Sequence, residues 1–514
     1  MKQMTALLLS CFALATSYQL TAQSKELENV VDIELKSSIA IKNNGSIVGY
    51  ALFYKVDKMK KAALYRLEVL DENLKSIGSN EFEGSKELGL TNAVYESNHI
   101  MLSFHDPKKM DDIEYFVKIF DLKGKSVGQV NYDPEKVKKG MMGKAVAQQM
   151  TAYYNGVSNV EGKGFVAVYQ SQAKTGGVDI QFITAEGKLK WEQNFTAEKG
   201  DREDMYLVNT SSDAIQFFMG ERGSIRAKES KNFLLGIDPV TGKQLYKKPL
   251  QIGEYAYEPQ YFKYAQDGSL KMLSIITNDA DKFYSARPVG FSVAALESRT
   301  GEFKIEKDFI FENDLGDVLN MKTSTKSEDG FMQIHDINFM DDGSKVVVGE
   351  FFRRTVSALG VASTLLLSRG GQAHTSQISI GDGFLLHINK NDKVVSLDKL
   401  DKKVQRYMPP GDGLSLGLLQ RVMKMDGAFG YVYTDESPDR KAKTAIFEGT
   451  FEGERYGTNA VTYDEKAGYK IKKLTVDAKG RDRVRIMRAK PGHVMVMKYT
   501  AKEKKVTLNL ERVD

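Results

Sequence analysis

Few residues in this chain have the spacing to do chemistry. Gly413, Ser415 and Gly417 fit the G-x-S-x-G pattern of a nucleophile elbow, with Asp477 and His493 following in hydrolase order. That chemistry needs a strand running into the serine, and Met408-Pro409-Pro410-Gly411 just before it cannot be a central strand. An ordinary Gly-rich connection is therefore expected there. The six histidines are His99, His105, His335, His374, His387 and His493, and no two stand at metal-ligand spacing. His105-Asp106 and His335-Asp336 are adjacent pairs in different repeats, where histidines satisfied within their own units are expected. Asp279 with Asp281, and Asp341 with Asp342, lack the spacing and glycine of a calcium loop, and turn chemistry accounts for them. No catalytic residue, metal site or cofactor is expected.

What must position any site is a repeat. A turn rich in Gly, Asn and Asp, flanked by apolar runs, recurs eight times, at 43–46, 96–99, 161–164, 211–213, 266–268, 341–343, 426–427 and 490–492. A second kind recurs seven times, at 71–75, 121–125, 184–188, 238–243, 297–302, 389–393 and 464–468. The segment from Thr91 to Asn131 shows the unit: four strand-like runs joined by a turn, a charged loop and a turn, which is an antiparallel meander. A repeat near 50 residues points to an all-β propeller.

Eight first turns against seven second turns leave the last unit one strand short, and 29–36 is expected to supply it and close the ring. The expected blades are 37–83, 84–134, 150–198, 203–251, 255–311, 329–401, 414–480, and 481–514 with the N-terminal strand. A miscount around 400–480 would leave seven. Insertions are expected at 134–152, with a short helix over 144–150, and at 353–383. The connection types they occupy emerge on one side of a propeller.

Residues 1–22 read as a cleavable secretory leader: Lys2 supplies the positive start, Leu7 to Ala15 a short apolar core, and Ala22 a small-residue exit. The reading is an exported chain, 23–514 forming one domain, periplasmic, cell-surface or secreted, without a transmembrane segment. The sole cysteine, Cys11, lies in that leader, so neither disulfides nor thiol chemistry are expected.

Two stretches resemble a known family. The run from Leu235 to Tyr246, with Asp238-Pro239-Val240-Thr241-Gly242-Lys243 at its centre, is similar to the strand-turn-strand of quinoprotein-type propeller repeats, as is Ala185 to Trp191. That resemblance implies the fold. Those families repeat a docking tryptophan in every blade, whereas Trp191 stands alone, and the vicinal cysteines that commonly accompany their cofactor are absent. As a whole the chain resembles exported bacterial propeller proteins without an assigned function.

The formal charge is +5 and falls to +4 without Lys2, too slight to indicate nucleic-acid binding. Its distribution is uneven. The loops assigned to the insertion-bearing face (55–62, 105–112, 171–177, 220–231, 277–287, 353–369, 435–443 and 500–505) sum to about +10. Such a surface concentrates anions. Arg222, Arg226, Arg353 and Arg354 are the expected ligand-binding residues, and an anionic glycan, lipid head group or acidic protein the expected partner. A non-enzymatic binding or scaffold protein of the cell envelope is the leading reading. A propeller-type carbohydrate-active enzyme is the alternative, which would need two carboxylates about 5–9.5 Å apart near the axis.

Overall fold

The computed structural model describes residues 23–513 apart from a number of connections, the longest being 133–155, 357–375 and 408–418. Eight antiparallel sheets follow one another along the chain. They span Ile39–Ser85, Gly89–Tyr132, Gly156–Phe195, Arg202–Pro249, Tyr255–Ile310, Phe331–Leu400, Tyr431–Thr475, and Arg483–Arg512 with Gln23–Leu27. First strands of neighbouring sheets touch at seven seams, that of blades 8 and 1 included, and a shared hydrophobic cluster joins blades 5 and 6, so the sheets stand as blades around a common axis. The eight expected blades agree with these in order and, within several residues, in extent, except that blade 7 begins at Tyr431 rather than near 414.

Position within the blade explains strand composition. Second and third strands lie between covered faces and read as near-continuous apolar runs: Phe165-Val166-Ala167-Val168-Tyr169 is buried throughout. Fourth strands are outermost and polar, as in Ser76–Ser85, where no residue is fully buried. Hydrophobic clusters fill the seams between blades, for instance Phe182 and Val168 of blade 3 against Met205 and Phe217 of blade 4.

The ring closes at the N-terminus, but with a different segment from the one expected. Gln23–Leu27 is the fourth strand of blade 8, pairing antiparallel with Leu510 to Val506. Residues 29–35 instead lead into blade 1, wedged in the seam, and Lys36 lies outside the described residues. Val30 N donates to Lys504 O at 2.8 Å, Asp32 bridges to Lys55, and Tyr499 Oη donates to Val31 O at 2.8 Å. Val30, Ile33 and Leu35 are buried there with Tyr50, Met497 and Leu508. Their spacing is irregular because each side chain fills a gap between two blades rather than one face of a sheet.

Three further expectations change in detail. In blade 7 the first and second strands are Tyr431–Glu436 and Lys443–Glu448, so the connection 437–442 is its first turn and Gly427 precedes the blade. Loop 435–443 therefore lies on the face opposite the insertions. The loop expected at 105–112 is mostly strand, since His99–Lys109 and Asp112–Asp121 pair as far as Lys109 with Asp112. Of the insertion expected at 353–383, the flanks belong to the long strands Lys345–Val356 and Ser376–Ile388, leaving 357–375 outside the described residues. The whole of 134–152 also lies outside them.

Candidate functional site

Second-to-third strand connections, and the connections between blades, share one side of the disc. The bridge between Gly176, in such a connection of blade 3, and Glu203, at the start of blade 4, shows the two types meeting. Arg222, Arg353 and Arg354 all sit at the ends of second strands and therefore on this face, Arg222 two blades from the other pair. Arg226 lies outside the described residues.

Their surroundings differ. Arg222 is ion-paired with Asp204, its side chain only 11% exposed, and Arg202 Nε donates to the same carboxylate at 2.9 Å. It serves as a strut between the first two strands of blade 4. Arg353 is exposed and donates from Nε to Asp329 O at 3.0 Å and from Nη2 to Glu328 O at 2.7 Å. These contacts fix the guanidinium on the arm of the blade 6 hairpin, with exposed Arg354 beside it. The connections between blades add carboxylates that the loop count leaves out, among them Glu28, Glu87, Glu312, Asp317 and Asp329. The basic character of this face is thus concentrated at hairpins rather than spread over it.

A second polar assembly lies between blades 6 and 7, and the sequence reading missed it. Glu350, fully buried in the second strand of blade 6, is ion-paired with Lys402, whose side chain is also fully buried. His335 Nε2 lies 2.9 Å from Glu350 Oε2, and the backbone N–H groups of Gly430 and Tyr431 donate to the carboxylate at 3.2 and 3.0 Å. Burial pushes the Lys402 ammonium down to about 7. The ring of His335 stacks on Tyr431 and meets Phe429 edge-on. Next to it, Asp336 accepts from Lys263 Nζ at 3.1 Å and from Tyr431 Oη at 3.2 Å. Each carboxylate is held by several donors, an arrangement that fixes the start of blade 7 against blade 6. The signal in sequence was a charge inside an apolar run, Val346-Val347-Val348-Gly349-Glu350-Phe351-Phe352.

The other singled-out residues scatter. His105 is half-buried, and its desolvation lowers its pKa, while His387 Nε2 lies 3.1 Å from Asp398 Oδ2. His99 and His493 bond turn carbonyls, Ser97 O at 2.8 Å and Pro491 O at 3.1 Å. Residues 411–418 and Asp477, the other parts of the nucleophile pattern, lie outside the described residues. Among the described residues no group of three His, Cys, Asp or Glu is arranged to hold a metal ion.

Trp191 does what its resemblance implied. It stands in the fourth strand of blade 3, and its Nε1 donates to Pro239 O, in the last hairpin of blade 4, at 3.0 Å. Tyr246 stands at the matching place in blade 4, packed against Gly301 of the corresponding hairpin of blade 5. In blades 1 and 2 the place is held by Gly78 and Gly128, where a side chain would collide with the backbone of Lys123 and Gly187. One docking geometry thus recurs with different residues.

Eight blades closed by strands from both chain ends define a β-propeller. Over residues 1–514 the chain matches the family of unknown function DUF6770, and it belongs to that family. No curated protein matches it in sequence. Among solved structures it is similar to a europium-containing methanol dehydrogenase, at 9% identity and a TM-score of 0.41, covering 93% of each chain. It is also similar to the propeller domain of the Trilobed protease from Pyrococcus furiosus, at 9% identity and a TM-score of 0.35, covering 83% of this chain and 98% of that one. Prolyl oligopeptidase B from Galerina marginata matches at 8% identity and a TM-score of 0.38, covering 93% of this chain, which spans only 54% of that one. No described helix is long and apolar enough to cross a membrane.

Proposed function

We propose that this propeller is an exported, non-enzymatic binding or scaffold protein of the cell envelope that holds an anionic ligand on its hairpin-bearing face. The observation that carries the reading is the blade 6 hairpin, whose strands Lys345–Val356 and Ser376–Ile388 are among the longest in the molecule. Its arm presents Arg353, anchored by two backbone carbonyls, next to Arg354. A guanidinium already held in place loses little freedom on meeting a sulfate, phosphate or carboxylate. Insertions gathered on one face of a repeat protein commonly mark the binding face. Export rests on the leader-like 1–22, whose removal would leave the closing strand Gln23–Leu27 whole.

The ligand-binding role falls on Arg353 and Arg354, with Arg226 a further candidate, while Arg222 supports the blade. The test is retention of residues 23–514 on a sulfated or phosphorylated matrix. Retention should weaken steeply with salt as the screening length shortens from ~8 Å at physiological ionic strength to ~3 Å at 1 M. Replacing Arg353 and Arg354 with Ser should abolish it at unchanged melting temperature. Equal retention by that variant would overturn the reading.

A further inference from the structure

In this propeller the last hairpin of each blade docks on the fourth strand of the blade before it. The contacts at Gly78, Gly128, Trp191 and Tyr246 show this for four successive seams. Blade 8 has no such hairpin, because its third strand Lys505–Arg512 and fourth strand Gln23–Leu27 come from opposite ends of the chain. The outer strand of blade 7, Tyr469–Thr475, is therefore the one that no hairpin of a following blade covers. Residues 468–473 are exposed throughout, with Tyr469 at 38% and Ile471 at 39%.

A second feature narrows the choice. In blades 1 to 6 the pairing of third and fourth strands contains a register shift, between Val69 and Leu70 in blade 1, for example, and between His387 and Ile388 in blade 6. Such irregularities bend an edge and spoil it as a template for another strand. Blades 7 and 8 have none: Gly457 to Tyr463 pairs with Thr475 to Tyr469, and Gln23 to Leu27 with Leu510 to Val506, residue for residue, and of these two outer strands only that of blade 7 is without a hairpin from a following blade. Its edge is straight, uncovered and uninterrupted.

The side chains choose the occupant. Lys470 and Lys472 lie opposite Thr462 and Ala460, and Ala460 belongs to the seam with blade 8, so both lysines point to the side where a hairpin would otherwise sit. Tyr469, Ile471 and Lys473 point to the other side, Tyr469 Oη donating to Lys399 O at 3.2 Å. A second copy of this chain would set these lysines against one another, which opposes self-pairing. An extended segment with acidic and apolar residues in alternation meets both sides.

We propose that the outer strand of blade 7 is a strand-addition site for an acidic extended segment of a partner protein. Main-chain hydrogen bonds would supply the affinity, and Lys470, Lys472 and Lys473 the preference for acidic sequence.

The test uses residues 23–514 and a fluorescent, end-capped peptide of alternating glutamate and valine, followed by anisotropy at low salt. Binding is expected, with the lysine counterpart of the peptide not binding. Lys470→Glu/Lys472→Glu/Lys473→Glu should weaken the acidic peptide about tenfold or more and admit the basic one, at an unchanged melting temperature. Methylating alternate peptide nitrogens on the edge-facing side should abolish binding to the parent. Were the acidic peptide not to bind up to about 1 mM, the lysines would be guarding the edge rather than recruiting a partner. Equal binding of the methylated peptide, or indifference to charge reversal, would overturn strand addition. If the triple variant fails to fold, Lys470→Gln/Lys472→Gln with the same two peptides decides.

Discussion

On one face of the disc, the hairpins at 71–75, 121–125 and 389–393 repeat the same hydrogen bonds. Asp71 Oδ1 accepts from Asn73 N and Lys75 N at 2.9 and 2.8 Å, Asp121 Oδ1 from Lys123 N and Lys125 N at 2.9 and 2.8 Å, and Asn389 Oδ1 from Asn391 N and Lys393 N at 3.0 Å each. On the other face, the connections between second and third strands run from 110–111 in blade 2 to 357–375 in blade 6, with no shared motif. The difference is one of task. Turns that must seat in a neighbouring blade are held to one shape by backbone contact, whereas connections not bound to a shared seat are at liberty to differ in length and to acquire ligands.

Removing residues 23–36 should have the largest effect, because it takes the closing strand from the turn face and the seam wedge from the hairpin face together. Leu27, Val30, Ile33 and Leu35 are all buried, and each fully buried aliphatic is worth about 1.5–3 kcal/mol. Loss of most of the cooperative thermal transition is expected, and a melting curve close to that of the parent would refute the closure.

The Glu350 assembly comes next. Glu350→Gln leaves a buried ammonium without its counter-charge and should cost about 3–5 kcal/mol in a denaturant titration. Adding Lys402→Met should restore much of that loss, and if it does not, Glu350 acts through Gly430 and Tyr431 instead of through Lys402.

A smaller contrast sharpens the comparison of faces directly. Gly128→Ala, whose new Cβ would lie about 2.7 Å from Gly187 Cα, should cost about 1–3 kcal/mol by overpacking the seam. Gly223→Ala on the hairpin face meets nothing within 4 Å and should change stability by less than about 0.5 kcal/mol. Equal costs would mean that the two faces are not under different constraint. Smallest of all in stability, Arg353→Ser with Arg354→Ser should leave the melting temperature within error and be felt only as loss of anion retention.

The blade count was legible because a polar residue opening the turn, with a residue of positive φ three or four places on, recurs where a third strand turns into a fourth, as with Asp71 and Leu74, Asp121 and Gly124, and Asn389 and Asp392. The closing strand was misplaced because an outermost strand is held by its ladder more than by its side chains. Gln23–Leu27 buries only Leu27 and carries little pattern, whereas Val30, Ile33 and Leu35 offer an apolar signal that belongs to packing between blades. Blade 7 was harder to read because Gly427 imitates a blade turn while the true first turn, at 437–442, has no glycine. The arginines were legible as charges but not as partners: Asp204, which ties up Arg222, lies well before it in sequence and meets it only across the ladder of the first two strands of blade 4. His335, Glu350, Lys402 and Gly430 come from different strands and connections, and only the ring brings them together.

The closing ladder also sets an order in time. Gln23–Leu27 precedes every blade in the chain, and its partner, Val506 to Leu510, lies beyond the seven other blades. Blade 8 therefore cannot form until all seven other blades have been made, however complete they are. Contacts so distant in sequence are slow to find each other. Until they do, the seam side of blade 1 lies open with Tyr50, Leu52 and Leu70 uncovered, a window in which the folding chain would profit from a chaperone.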